Sequence, residues 1–321
     1  MIDRRWTGVA ATLAALSLLR CGGSSTGGNA TTATTGVTTG AGGSTATTGS
    51  GAGGASSTTT SGGGGAPATT GGGGAPATTG SGGSSSSGGG PSMWEALSDE
   101  FEDPSTLAHW KVRNVVEGTP AQYTALDIDT SHAGELFILP TEGLWHNTSA
   151  GTLVYKLVTG DFVVESSVGA YGSPEGMGSP SGGNALAGLM IRDPVSSPFD
   201  EEWLMLAVGR LIGAAGPASV VTHMSATTSS GSAGPVHGLL RLCRHGAEVD
   251  MYAKLDGDVD WKLRSKFPQS FGPQFKFTLP DEVQVGLAVS ASANASLYAH
   301  FDYIRFAPVI GGDCLAPIPP P

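Results

Sequence analysis

From Gly22 to Ser92 the chain runs for roughly 70 residues without one charged side chain. Gly, Ser, Thr and Ala make up nearly all of it. Such a stretch buries too little apolar surface to offset the entropy lost on ordering it, so it forms no packed core. The near-identical segments 62–70 and 71–79 are low-complexity repetition and not a structural repeat. The tract therefore divides the chain into a leader (1–20), a tether (21–92), a β-rich unit (93–310) and a Pro-rich tail (311–321). A Gly-rich tether of this length has an r.m.s. span of about 45 Å by the square-root law. Fully stretched it reaches about 230 Å.

The leader carries Arg4 and Arg5, then a mostly apolar run from Val9 to Leu19. A run of about 11 residues is too short to cross a hydrocarbon layer of about 30 Å as a helix, so it reads as the apolar region of an export signal. The ending Leu18-Leu19-Arg20-Cys21-Gly22-Gly23 resembles a bacterial lipoprotein signal, in which the cysteine becomes the lipidated first residue. Arg20 departs from that pattern, which has a small residue before the cysteine. The resemblance implies a protein exported and lipid-anchored through Cys21 to the outer membrane or cell surface. Its only membrane contact would be that anchor.

Of 16 basic and 27 acidic residues, Arg4, Arg5, Arg20 and Asp3 lie in the leader, leaving 13 and 26 in the rest. A surface this acidic repels phosphate backbones and argues against a nucleic-acid partner. Besides Cys21, two cysteines remain, Cys243 and Cys314. In an oxidising compartment they are a candidate disulfide; the alternative is two separate thiols.

From Leu97 onward short alternating stretches recur between Gly, Pro, Asn and Asp, among them 123–129, 152–158, 162–168, 185–192, 203–208, 248–255, 283–289 and 296–306. No stretch shows a convincing helical stripe. This pattern predicts an all-β fold of two packed antiparallel sheets. Leu97 to Asp103 (LSDEFED) with Trp110, Gly160 to Glu165 (GDFVVE) and Ala187 to Asp193 (AGLMIRD) follow one another along it. Leu240 to Gly246 (LRLCRHG), Leu255 to Trp261 (LDGDVDW), Val285 to Val289 (VGLAV) and Phe301 to Phe306 (FDYIRF) complete the series. In this order they resemble the concanavalin A-like jelly-roll domains found as C-terminal modules of β-xylosidases and in related bacterial domains of unassigned function. These motifs mark core and turn positions, so they speak for architecture and not for activity.

Glucan-cleaving enzymes on that fold carry a Glu-x-Asp-x-Glu strand, and this chain has none. Asp200-Glu201-Glu202 is contiguous, so its members alternate between faces, and it reads as a solvated loop after Pro198. Asp127 and Asp129 have the right parity without a third acid. The expectation is a domain without catalysis. Asp256, Asp258 and Asp260 read as a hairpin turn with structural calcium as the rival, and Asp99 with Asp302 form a second calcium candidate where first and last strands meet. No other cofactor is expected. His146, His223 and His245 have no mutual metal spacing.

Parity points Ala187, Leu189 and Ile191 inward with Leu204, Leu206 and Val208. Met190, Arg192, Trp203 and Met205 then project from the opposite face. Trp203 there can stack on a sugar ring while Arg192 donates to its hydroxyls, with Trp145 and Tyr155 extending the surface. The expected function is binding of a polysaccharide or glycan. A structural or adhesive domain contacting protein is the alternative, and a glycoside hydrolase is the third reading.

The anchor is tested by Cys21→Ser, which should move the protein from the membrane fraction to the soluble exported fraction. Unchanged detergent partitioning of the variant would remove the lipoprotein reading.

Overall fold

The computed structural model describes residues 92–145, 150–194, 200–211, 213–224 and 226–321. The leader, Cys21, nearly all of the tether and His146 lie outside the described residues. Fourteen strands form two antiparallel sheets of seven. The first sheet contains β1 (Lys111–Val112), β4 (Thr152–Thr159), β6 (Ala185–Arg192), β7 (Glu202–Leu211), β8 (Ala214–His223), β9 (Ala226–Gly231) and β13 (Glu282–Ala291), in the order β1-β4-β13-β6-β7-β8-β9. The second contains β2 (Tyr123–Ile128), β3 (Leu136–Pro140), β5 (Phe162–Tyr171), β10 (His237–His245), β11 (Glu248–Leu255), β12 (Lys262–Phe267) and β14 (Tyr298–Ala307), in the order β12-β11-β10-β5-β14-β3-β2. The chain changes sheet between β1 and β2, β3 and β4, β4 and β5, β5 and β6, β9 and β10, β12 and β13, and β13 and β14. This is the jelly-roll sandwich the sequence pattern predicts.

The core lies between the sheets and follows the expected parity. Ala187, Leu189 and Ile191 meet Leu204, Leu206 and Val208 there, with Val164, Leu240, Leu287 and Phe301 from other strands. The opening motif closes one end. Asp99 exchanges backbone hydrogen bonds with Ile304 of β14, at 2.8 and 2.9 Å. Its buried carboxylate accepts from the Trp110 indole N–H at 2.8 Å and from the Phe101 N–H at 3.0 Å. Both its oxygens are thus engaged in fastening the first segment to the last strand, whereas Asp302 lines a recess elsewhere on β14. Asp256 to Asp260 join β11 to β12 as the hairpin read from the sequence. Asp258 accepts from the Leu255 N–H at 3.2 Å and pairs with Lys262.

Among the strands, β1, β9 and the start of β8 escaped the pattern. β9 is built from Ala, Thr, Ser and Gly, residues that read as loop, and exists through its ladder to β8. The start of β8 is small residues around Pro217, held by pairing with β7.

The outer face of the first sheet is where the structure corrects the sequence. Trp203, Trp145 and Tyr155 do come together, with Met190, Met205 and Leu153, but as a second buried cluster and not an open platform. Trp203 is 0% exposed and Trp145 and Tyr155 2%. The reason is the segment before β4. Gly143 bridges to Ala291, the Trp145 N–H donates to Ser290 Oγ at 3.1 Å, and its indole donates to the Thr152 carbonyl at 3.3 Å. These bonds lay Trp145 edge-on against Trp203, ring centres 5.7 Å apart. Gly151 permits this, because a Cβ there would lie 2.2 Å from the indole nitrogen. Arg113 covers Trp145 from outside, 5.1 Å from its ring centre.

Arg192 is likewise withdrawn from solvent. It donates to both oxygens of Glu201 at 3.1 and 3.0 Å, to Glu117 at 2.7 Å and to Gln284 at 2.8 Å. Burial disfavours its charge, but the bonds to Glu201 and Glu117 outweigh that and raise its pKa. Its donors hold the fold and do not await a ligand. Glu201, expected in a solvated loop, is 3% exposed because it partners this guanidinium.

Cys243 and Cys314 form a disulfide with Cα atoms 5.6 Å apart. Arg241 donates to the carbonyls of Cys314 and Ala316 at 2.9 and 3.0 Å, so the Pro-rich tail is fastened to β10. Closing this loop should contribute about 4 kcal/mol on the chain-entropy model.

Two expectations follow. Cys243 and Cys314 should resist alkylation in the denatured, unreduced protein and label only after reduction; labelling without reductant would refute the bridge. Trp203→Ala should lower stability by about 3–5 kcal/mol in urea titrations, since it empties a buried site. A loss below about 1 kcal/mol would show that this face is open to solvent after all.

Candidate functional site

With one sheet apolar on both faces, polar groups gather on the outer face of the other. Along β5 every second residue points there. Val163 packs with Cys243 and Cys314. Glu165 follows, accepting from Arg241 Nε at 2.9 Å and from the Tyr303 hydroxyl at 2.7 Å. Burial and the neighbouring Glu165 carboxylate push the Tyr303 hydroxyl well above its ordinary range. Arg305 lies 3.9 Å over the Tyr303 ring and is held by Glu100 through bonds of 2.7 and 2.6 Å. These groups satisfy one another and leave little for a ligand.

Past them, Ser167, Gly169 and Tyr171 border a recess of about 300 Å³. That is the lower end of the roughly 300–1,000 Å³ of small-molecule pockets. Gly169 is its floor. His237 of β10 and His300 of β14 both stand opposite Gly169 in register. A Cβ on Gly169 would lie 2.3 Å from the Tyr171 ring, so only glycine lets that ring fold flat over the strand. Tyr171 then lies near-parallel to His237, centres 6.2 Å apart and planes at 20°. It meets His300 edge-on at 5.2 Å. The result is a half-buried aromatic surface with imidazoles on either side.

Acids complete the rim. Asp256 holds His237 Nδ1 at 2.8 Å. Glu135 holds His300 Nδ1 at 2.7 Å, and that hydrogen bond lowers the Glu135 pKa. Asp302 is exposed beside them. Partial burial, with the Glu135 and Glu100 charges behind it, raises its pKa. Burial, then Asp256 and Glu135, raise that of Tyr171. Two carboxyls in one recess are therefore pushed in opposite directions.

The turn from β2 to β3 positions Glu135 and brings His132 alongside. Asp127 accepts from the Ser131 N–H and hydroxyl, each at 2.7 Å, and Asp129 accepts from the Gly134 N–H at 2.8 Å. These are the two acids whose parity drew attention in the sequence; they brace a turn. His132 packs on Phe137 at 4.8 Å and against His300 at 4.3 Å.

None of Tyr171, His237 or His300 emerged from the sequence as a site residue. The one legible signal was the outward parity of His300 and Asp302 on the closing strand, and a bulge between Phe301 and Tyr303 disturbs it. His223 and His245 lie elsewhere, beside Glu202 and Asp250.

No family model matches the chain. No curated protein matches it. Among solved structures it is similar to a protein of unknown function from Saccharomyces cerevisiae, at 15% identity and a TM-score of 0.48, over 64% of this chain and 99% of that one. It is also similar to a xylan β-1,4-xylosidase from Bacillus halodurans, at 18% identity and a TM-score of 0.45, over 65% of this chain and 38% of the enzyme. A third is lectin I-B4 from Griffonia simplicifolia in its metal-free form, at 10% identity and a TM-score of 0.40, over 66% of this chain and 98% of the lectin.

Proposed function

We propose that this is a non-catalytic glycan-binding domain, carried on its tether at the cell surface, and that sugar enters the recess over Gly169. The observation that carries this reading is the Tyr171 ring laid across Gly169 between two histidines and two carboxylates. A sugar ring offers an apolar C–H face and a rim of hydroxyls. An aromatic surface suits the first, and carboxylate and imidazole groups within hydrogen-bond reach suit the second. The recess has room for one or two sugar rings and opens to solvent beside the half-exposed His237. Its floor is strand backbone, so the groups need little ordering on binding. Beside Trp203, the surface first read from the sequence, the described residues leave a space of about 10 Å³.

A second reading, glycoside hydrolysis, is favoured by the opposed shifts of Glu135 and Asp302. A carboxyl with a raised pKa beside one with a lowered pKa is the kind of pairing that general acid catalysis uses.

A glycan array probed with the full chain should identify a ligand, and Tyr171→Ala should weaken its binding at least about tenfold, the equivalent of about 1.4 kcal/mol. The melting temperature should change little, because Tyr171 stands outside the core. Binding by Tyr171→Ala equal to the parent would place the site elsewhere. Incubation of the parent with each bound glycan distinguishes the two readings: cleavage that disappears in Asp302→Asn would replace binding with hydrolysis.

A further inference from the structure

We propose that the cleft between the open edges of the two sheets binds a small oxyanion on Arg264 and the serine hydroxyls that face it. The ligand is a carboxylate, sulfate or phosphate group, carried by a free ion or by a sugar acid. β9 is an edge strand of the first sheet and β12 an edge strand of the second. Between them Ser219 of β8, Ser230 of β9, Ser232, and Leu263 and Arg264 of β12 line a space of about 190 Å³. That is smaller than the roughly 300–1,000 Å³ of small-molecule pockets, so it suits one small group or one ring. The cleft shares no lining residue with the recess over Gly169 and does not depend on the glycan reading.

Serine is out of place on this face. Ser219 lies two residues from Val221, a core residue, so its side chain faces the inside of the sandwich. One row across the inner face of the first sheet runs Val154, Leu287, Leu189, Leu206, Ser219 and Ser230, each in register with the next. The first four belong to the core, and the row turns polar only at the cleft. Ser219 is 3% exposed, and its hydroxyl makes no hydrogen bond among the described residues. A buried hydroxyl without a partner is costly, and a ligand oxygen would relieve it.

A bulge in β12 brings a cation to these hydroxyls. Met251 pairs with Ser265 and Tyr252 with Leu263, so Arg264 is an extra residue with no partner on β11. Bulges at sheet edges re-aim the side chain they carry, and this one lines the cleft. Arg264 Nε is buried and has no hydrogen-bond partner among the described residues. Asp258 stands 3.7 Å from Arg264 Nη2, beyond hydrogen-bond distance, and is also paired with Lys262. Two cations thus share one carboxylate, which leaves positive charge in excess at the cleft. A guanidinium presents N–H donors in a planar fork that matches two oxygens of one oxyanion. The hydroxyls of Ser219 and Ser230, on the facing strands, donate to what remains. An anion held this way would also tie together two sheet edges that no ladder joins.

The test titrates the full chain by calorimetry with sodium sulfate, phosphate and glucuronate, at constant ionic strength in chloride. At least one of the three should bind saturably, one per chain, at millimolar concentration or below. Arg264→Gln should weaken that binding at least about tenfold and Ser219→Ala at least about threefold, with circular dichroism unchanged in both. Tyr171→Ala should leave it unchanged, which separates this site from the recess over Gly169. Tighter binding of glucuronate than of sulfate and phosphate would assign the cleft to a sugar acid, and the reverse order to a free ion; either upholds it. No saturable binding at a large excess of all three anions would overturn the site. So would binding by Arg264→Gln and Ser219→Ala equal to the parent.

Discussion

The first sheet is apolar on both faces, and this constraint shapes the rest of the molecule. Leu204 and Leu206 of β7 point into the sandwich while Trp203 and Met205 point out, and both sets need cover. A sheet like this must be buried on both sides, as parallel sheets usually are. Here the cover comes from Trp145, drawn down by Ser290 and Thr152, and from Arg113 above it. Arg192 finishes the job at the strand end, its charge spent on Glu201 and Glu117. A residue set that looks like a sugar platform in one dimension becomes a second core in three. Among the described residues, the back of the other sheet is a polar surface with a recess built into it.

That second surface is stiffened before it reaches the recess. The Glu165, Arg241 and Tyr303 network is nearly buried, and burying charge is costly unless every group is partnered. Arg241 also takes two tail carbonyls, and the disulfide holds the same tail from the next outward position on β10. Strand, tail and covalent bridge thus form one rigid stretch of β5, from Val163 to Ser167. The recess begins where this stretch ends, at Gly169. Its walls inherit the precision of a central ladder and not of a loop, because β10 and β14 both pair with β5 on either side.

The fold was legible because its signals are local. Alternation placed β6 and β11 to the residue, and it sorted inward from outward side chains correctly on β6 and β7. The pairing of Cys243 with Cys314 was one of two open readings, since no sequence pattern says that β10 and the tail meet. The site was not legible, for two separate reasons. Parity says which face a side chain leaves by, and nothing about what lies over that face; Trp203 was assigned to the right side and the wrong environment. The recess residues, conversely, come from β5, β10, β14 and the β2–β3 turn, far apart in the chain. Tyr171, His237 and His300 look unremarkable alone, and only the common register at Gly169 brings them together.

The charge pattern narrows what such a recess would accept. Glu135, Asp256 and Asp302 line or border it, and the described unit carries a marked acidic excess. An anionic sugar, such as one bearing carboxylate or sulfate groups, would meet like charge on entry, and desolvated like charges repel by several kcal/mol. A neutral sugar meets no such barrier, and its hydroxyls donate well to ionised carboxylates. Were a sugar to enter, the acidic rim would favour a neutral, hydroxyl-rich one, and the Tyr171 ring laid over Gly169 would give its apolar face somewhere to rest.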